Sequence, residues 1–105
     1  MKRLQGNVTI ITGGGKGIGY GLAQAFAEEG SNLVITGRTE SRLVSAKERL
    51  EKEYGIEVLP IVADGADEEA IKNVVARTIE KFGKINTLVN NAQVSKSGLP
   101  LAEHT

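Results

Sequence analysis

The sequence predicts an α/β fold in which a parallel sheet is doubly wound, with helices on both faces. Strand-like and helix-like patterns alternate along the 105 residues in the order βαβαβαβ. The strand-like runs are apolar throughout, as in Val8-Thr9-Ile10-Ile11, and do not alternate with polar residues. Such runs are typical of parallel strands that are covered on both faces. Right-handed crossovers with one reversal then predict the strand order 3-2-1-4.

Local signals bound each element. The helices are expected to end at glycines, because glycine readily adopts the left-handed conformation that closes a helix. Asp67 is the expected cap of the third helix, and Pro60 restricts the third strand to an edge or an irregularity. The predicted strands are Val8 to Thr12, Leu33 to Thr36, Ile56 to Ala63 and Ile85 to Asn90, and the helices run from Ile18 to Gly30, from about Glu40 to Gly55 and from Asp67 to Gly83.

Apolar residues at helical spacing predict which helix faces are buried. The third helix has the most regular stripe of the three. The expected faces are Ile18, Leu22, Ala25 and Phe26 in the first helix, Leu43, Ala46, Leu50 and Tyr54 in the second, and Ile71, Val74, Val75, Thr78, Ile79 and Phe82 in the third.

The glycine-rich segment Thr12 to Gly19 lies between the first strand and the first helix. A turn without side chains lets a diphosphate approach the helix start, where free N–H groups and the helix dipole favour negative charge. The spacing T-G-x-x-x-G-x-G matches neither the strict G-x-G-x-x-G fingerprint nor the phosphate-binding P-loop. The alternative is a flexible turn without a ligand. In the predicted strand order, this segment and Asn90-Asn91-Ala92 both fall where the order reverses, which is the usual ligand crevice of such sheets.

Composition excludes several classes of function. Thirteen Lys and Arg residues balance thirteen Asp and Glu residues, so no net field attracts nucleic acid or an anionic membrane. The chain has no cysteine, which excludes disulfides and thiolate metal sites, and no metal site is expected. Lys2 and Arg3 are followed by Leu4-Gln5-Gly6-Asn7, which interrupts any signal sequence, and no apolar run approaches membrane-spanning length. We expect a cytoplasmic protein.

Three motifs together resemble the amino-terminal, cofactor-binding half of a short-chain dehydrogenase/reductase, a family with a Rossmann-type sheet. They are Thr12 to Gly19, Asp64 after the third strand, and Leu88 to Ala92 at the fourth strand. The resemblance implies a dinucleotide-binding half-domain over residues 1–93, followed by a loop and the start of a truncated helix over residues 94–105.

The family resemblance implies a role for each matching residue. Gly13, Gly17 and Gly19 would hold the pyrophosphate, with Gly15 and Ile18 in the same loop. Thr12 and Asn90 would fix the turn and the central sheet. Asp64 would accept a hydrogen bond from the adenine amino group, and Asn91 and Ala92 would approach the ribose. The alternative for Asp64 is a turn former beside Gly65, and for Asn91 and Ala92 it is cap chemistry at a strand end.

The end of the second strand indicates the cofactor. An NAD site needs a carboxylate about 20 residues after the glycine motif, and the sequence there is Thr36-Gly37-Arg38-Thr39. Arg38 is suited to the 2′-phosphate of NADP, and Lys16 could add a second positive charge. The alternative is that both are solvated surface cations. We expect NADP(H) in preference to NAD.

Departures from the family pattern bear on activity. Gln93 replaces a usual glycine and could crowd the nicotinamide ribose, and Asn86 replaces a common aspartate. Family members use a Ser and a Tyr-x-x-x-Lys pair in catalysis. Here the residue four positions after Tyr20 is Gln24, and the residue four positions after Tyr54 is Val58, so neither tyrosine has the required lysine. Ser95 and Ser97 are expected to be loop residues, and no role is assigned to His104. We therefore expect this chain alone to be inactive.

Three hypotheses follow from these patterns. The first is an NADP-dependent oxidoreductase that acts on a small-molecule carbonyl or alcohol, of which this chain is the cofactor half. The second is a noncatalytic nucleotide-binding module. The third is an assembly or remnant protein without a ligand. The fourth strand is predicted to be an edge that leaves Ile85, Leu88 and Val89 unshielded, which favours a homo-oligomer.

Overall fold

The computed structural model describes residues 3–13, 17–63 and 68–90. Within this part of the chain, strands and helices alternate as the sequence predicts. The elements are β1 (Val8–Thr12), α1 (Gly17–Glu28), β2 (Asn32–Gly37), α2 (Glu40–Tyr54), β3 (Val58–Val62), α3 (Glu68–Phe82) and β4 (Thr87–Asn90).

The four strands form one parallel sheet in the order β3-β2-β1-β4, which confirms the predicted order 3-2-1-4. At the centre of the sheet, Ile10 of β1 pairs with Val34 of β2 and Leu88 of β4. All five residues of β1 are buried. Since β4 lies beside β1, the carboxyl ends of these two strands meet at the same edge, where Thr12 pairs with Asn90.

Helices cover both faces of the sheet, as predicted for a doubly wound fold. One buried cluster joins α1 and α2 to one face and includes Ala27, Leu50 and Ile35. A second cluster joins α3 to the other face and includes Val74, Ile10 and Ile61. The side chains of β1 therefore pack into both layers, and this explains why its sequence is apolar without alternation.

The predicted buried stripe of α1 was right for two of its four residues, Leu22 and Phe26, and wrong for Ile18 and Ala25. The buried residues are Gly19, Ala23 and Ala27, spaced by four, whereas Ile18 is 76% exposed and Ala25 is also exposed. Leu22 and Phe26 pack only at the margin of the cluster. Small side chains let the helix approach the sheet and α2 closely, and this close approach decides which face is buried.

The predicted stripe of α3 was only partly right. Val74 and Thr78 are buried, and the Thr78 hydroxyl donates to the Val74 carbonyl at 2.7 Å. Val75 and Ile79 are 36% and 45% exposed. The helix rests on the sheet along a narrow line, so a broad apolar face in the sequence does not become a broad buried face.

Strand starts differ from the predicted ones by two residues. β3 begins at Val58 and β4 at Thr87, although the backbones of Glu57 and Asn86 just before them also bond to the neighbouring strands. The backbone N–H of Glu57 donates to Asn32 Oδ1 at 2.9 Å, and the Asn86 side chain accepts from the Val8 N–H at 2.8 Å.

The predicted helix ends and sheet edge agree with the structure. Gly30, Gly55 and Gly83 follow the three helices with positive φ angles of 96°, 73° and 82°. Pro60 lies in β3, at an edge of the sheet. On the opposite edge strand β4, Leu88 is 50% exposed. Asp67, the predicted cap of α3, lies outside the described residues.

Candidate cofactor site

The candidate site lies at the carboxyl edge of the sheet, where β1 and β4 end side by side. Thr12 is buried, and its hydroxyl lies 3.1 Å from Asn90 Oδ1 and 3.4 Å from the Val89 carbonyl oxygen. These contacts fix the end of β1 against β4. They lie at the point where the strand order reverses, between β1 and β4.

Two glycines bound the turn between β1 and α1. Gly13 and Gly17 have φ angles of 73° and 61°, in the left-handed region that disfavours other residues. The Gly13 N–H donates to the Thr36 carbonyl at 2.9 Å, which ties the turn to β2. Among the described residues, and apart from the chain neighbours and the backbone of α1 itself, no heavy atom lies within 4 Å of the position that a Cβ on Gly17 would occupy. Within this part of the chain, the space beside Gly17 is therefore open.

The first turn of α1 is suited to an anion. It contains no acidic residue, so none of its own side chains occupies the positive end of the helix dipole. Gly19 is one of the buried residues of this helix. Ile18, beside it, exposes its apolar side chain to the space at the edge of the sheet.

Arg38 lies between β2 and α2, at the same edge. The next residue, Thr39, begins α2 in an extended conformation and makes no side-chain cap hydrogen bond. Gly37 fixes the start of this β2–α2 connection, because its carbonyl accepts a hydrogen bond from the Ala63 N–H at 2.8 Å. Arg38 is exposed, and within the described residues no carboxylate is bonded to it. A cation at a helix start opposes the dipole by about 0.3–1 kcal/mol, and a bound anion would remove that conflict.

The structure places seven of the predicted site residues along this edge. They are Thr12, Gly13, Gly17, Ile18, Gly19, Arg38 and Asn90. Five others, Gly15, Lys16, Asp64, Asn91 and Ala92, lie outside the described residues, as do Gln93, Ser95, Ser97 and His104.

The two tyrosines have packing roles. Tyr54 ends α2 near the start of β3, at the opposite edge of the sheet, and packs against the first cluster. Partial burial and the nearby Glu53 and Glu28 raise its pKa. Tyr20 lies in the first turn of α1, with the Arg49 guanidinium 5.0 Å from its ring centroid.

A groove on α2 was missed in the sequence. It has a volume of about 230 Å³ and is lined by Ser41, Arg42, Ser45, Ala46 and Arg49. The spacing of these residues places them on one side of the helix. That spacing was the available signal, although serines and arginines on a helix are more often simply solvated.

Comparison with known proteins identifies the family. A model of the short chain dehydrogenase family matches residues 7–104. The chain belongs to the short-chain dehydrogenases. It is 53% identical over 111 aligned positions to a 12α-hydroxysteroid dehydrogenase of Clostridium sp., and the match covers all of this chain and 43% of that protein. It is 45% identical over 91 positions to an uncharacterized oxidoreductase of Thermotoga maritima, covering 87% of this chain and 35% of that protein. The chain thus spans less than half the length of these relatives.

Solved short-chain dehydrogenases share the fold. L-sorbose reductase from Gluconobacter frateurii, complexed with NADPH and L-sorbose, has a TM-score of 0.84 and 36% identity over 95% of this chain and 38% of that one. An NAD⁺-bound xylitol dehydrogenase has a TM-score of 0.81 and 34% identity over 87% of this chain and 35% of that one. Structures of this type therefore accept either dinucleotide.

The described residues of this short-chain dehydrogenase fit a dinucleotide. The turn has glycines where positive φ angles require them, open space at Gly17, and a helix start without an acid. Among the same described residues, no helix is both long and apolar enough to cross a membrane.

Proposed function

We propose that this chain is the NADP-binding half of an oxidoreductase that interconverts a small-molecule carbonyl and alcohol. The nicotinamide of NADP would supply or accept the hydride. The observation that carries the proposal is the open glycine turn at the start of α1, beside the β1–β4 crevice. Ile18 supports the proposal. Its side chain is 76% exposed at this edge, and a bound dinucleotide would shield this apolar surface from water.

The preference for NADP over NAD rests on Arg38. A guanidinium binds a phosphate with two parallel hydrogen bonds, and it is unsuited to the ribose hydroxyls that a carboxylate would accept. β2 ends in Thr36 and Gly37, and neither carries a carboxylate. Solved relatives of both cofactor types resemble this fold, so the fold alone does not decide between NADP and NAD.

Further contacts belong to the same proposal. Lys16 and Gly15 would complete the turn around the phosphates, with Lys16 as a second cation. Asp64 would accept a hydrogen bond from the adenine amino group. Asn91 and Ala92 would approach the ribose of the cofactor. The domain boundary falls after Gln93.

The proposal is tested by calorimetric titration of the chain with NADPH and NADH. We expect NADPH to bind at least about tenfold more tightly, since a charge-assisted contact to the 2′-phosphate contributes about 1.5–3 kcal/mol. Arg38→Asp should markedly reduce that difference, because the introduced carboxylate would repel the 2′-phosphate. The control is Arg77→Asp, which makes the same charge change on the exposed side of α3. If the unmodified chain prefers NADH or binds neither, the proposal is wrong.

A noncatalytic nucleotide-binding module is the second candidate, because neither Tyr20 nor Tyr54 is followed four residues later by lysine. We propose that this chain alone transfers no hydride. Sequencing the gene beyond Thr105 distinguishes the two candidates. A following Ser and Tyr-x-x-x-Lys would support the oxidoreductase, and a stop codon after Thr105 would support the module.

We also propose self-association through β4. Leu88 is 50% exposed on this edge strand, and an exposed apolar edge favours pairing with another chain. Sedimentation should show a dimer that Leu88→Lys reduces to a monomer. A monomer before substitution would contradict this assembly.

A further inference from the structure

The groove on α2 begins beside Arg38, in the connection between β2 and α2. Ser41 and Arg42 belong to the first turn of α2, and Ser45 and Arg49 follow on the same side. The Arg42 N–H donates to the Thr39 carbonyl at 3.1 Å, so this arginine is part of the helix start. Two guanidinium groups and two hydroxyls therefore line one open groove of about 230 Å³.

Arg42 and Arg49 have different surroundings. Arg49 lies over the Tyr20 ring at 5.0 Å, which holds its charge toward α1. For Arg42, no ion pair forms within residues 3–13, 17–63 and 68–90. Glu40, the acidic residue of this first turn, lies on the opposite side of the helix at 3.6 residues per turn. The Arg42 charge is therefore available to a ligand in the groove.

Helix geometry directs Arg42 toward the cofactor edge. Side chains on a helix lean toward its amino terminus and cover the preceding turn. The residues one turn before Arg42 are Arg38 and Thr39, in the connection between β2 and α2. Arg38 and Arg42 thus place two positive charges around a helix start that has no side-chain cap. The dipole disfavours both charges unless an anion lies between them.

We propose that Arg42 is a specificity-determining residue, which binds the 2′-phosphate of NADP from the α2 groove while Arg38 binds it from the β2 end. The hydroxyls of Ser41 and Ser45 lie on the same side of the helix and can donate to the same phosphate. This inference rests on the proposed function. It adds a second cation that would make the preference for the phosphorylated cofactor less dependent on Arg38 alone.

The test measures binding of NADPH, NADH, adenosine 2′,5′-bisphosphate and 5′-AMP to the full chain. Arg42→Met should weaken the binding of NADPH and of the bisphosphate by about tenfold, the loss expected for one hydrogen bond between charged groups. NADH and 5′-AMP should change by less than about twofold, because they lack the phosphate. Arg42→Lys should lie between, since lysine keeps the charge but not the planar pair of donors.

Arg77→Met on α3 controls for net charge, and circular dichroism checks that each variant is folded. Equal weakening of NADPH and NADH by Arg42→Met would overturn the inference, and so would unchanged NADPH binding. If the unmodified chain bound neither dinucleotide, the proposed function would fail as well. If it bound NADPH through Arg38 with no effect at Arg42, only the role of Arg42 would be wrong.

Discussion

The sheet has an amino edge, where its strands begin, and a carboxyl edge, where its strands end, and the polar groups at these two edges are used differently. At the amino edge, polar side chains satisfy the protein's own backbone: Asn86 accepts from Val8, Asn32 from Glu57, and Glu51 from Val58. At the carboxyl edge, the start of α1 has no acid in its first turn and the start of α2 has no side-chain cap. The first edge stabilises the fold, and the second leaves groups available for a ligand.

The sharpest test of this comparison replaces one glycine at each edge with alanine. Gly17 at the carboxyl edge and Gly55 at the amino edge both have positive φ angles, and both have open space where a Cβ would lie. Gly17→Ala and Gly55→Ala should each destabilise the fold by about 1–2 kcal/mol through left-handed backbone strain. Only Gly17→Ala should also weaken NADPH, by at least about tenfold (about 1.4 kcal/mol), because its methyl group enters the phosphate space.

Urea unfolding and NADPH titration measure the two effects separately. A Gly55→Ala variant that lost cofactor affinity as much as Gly17→Ala would show that the carboxyl edge has no special role. Equal stability losses are required for the comparison, since they establish that the two backbones are strained alike.

The sequence predicts the sheet better than it predicts the helix faces. Strand order follows from apolar runs and crossover rules, which depend on many residues together. The buried face of α1 depends instead on Gly19, Ala23 and Ala27, whose small size matters only once a neighbour is known to approach closely. Val75 and Ile79 of α3 illustrate the converse, because apolar character alone does not determine which side meets the sheet.

The candidate site was predictable where it depends on topology. The adjacency of Thr12 and Asn90 follows directly from placing the fourth strand beside the first. The α2 groove was not predictable with the same ease, because Ser41, Arg42 and Ser45 gain meaning only from their position beside Arg38. The predicted roles of Lys16 and Asp64 stay predictions.

The next test removes a buried hydrogen bond at the amino edge. Ser31 is fully buried, and its hydroxyl lies 2.9 Å from Thr9 Oγ1 and 2.8 Å from the Asn32 carbonyl oxygen. Ser31→Ala should destabilise the fold by about 1–3 kcal/mol, because the Thr9 hydroxyl loses its partner. NADPH affinity should not change. The exposed Ser45→Ala is the control for stability in urea unfolding and should change it by less than about 0.5 kcal/mol.

A double variant sharpens that measurement. Thr9→Val combined with Ser31→Ala removes both hydroxyls, and should recover part of the lost stability since the Thr9 hydroxyl is no longer buried without its partner. Additive losses in the double variant would mean that the two hydroxyls do not act as a pair.

A smaller effect is expected from the charge of Glu51. Partial burial raises the pKa of this carboxyl, but hydrogen bonds from Lys47 and the Val58 N–H, with the nearby Lys81 charge, outweigh burial and hold it below the ordinary value of 4.5. A carboxyl whose pKa is lowered by folding stabilises the folded state at any pH above its ordinary pKa. This contribution is lost as the pH falls through the pKa of the folded state. Glu51→Gln should therefore cost about 0.5–1 kcal/mol at neutral pH because the site is partly exposed, and progressively less in acid.

Urea unfolding at several pH values between about 3 and 7 measures this dependence. Glu48→Gln, an exposed change on the same helix, is the control. A stability difference between the unmodified protein and the Glu51→Gln variant that grew on acidification would have the wrong sign for a lowered pKa.

The smallest expected effect compares two cation–aromatic contacts, one near each edge. Arg49 lies 5.0 Å from the Tyr20 ring at the start of α1, and Lys81 lies 5.5 Å from the Phe82 ring at the end of α3. Arg49→Met and Lys81→Met should each reduce stability by about 0.5–1 kcal/mol, the usual value for exposed contacts of this kind. Only Arg49→Met should also weaken NADPH and NADH, equally and by about twofold, because Tyr20 follows Gly19 in the turn that would receive the diphosphate. Equal weakening would separate this positioning effect from the NADPH-selective loss expected at Arg42. No change in either affinity would show that the first turn of α1 keeps its place without Arg49.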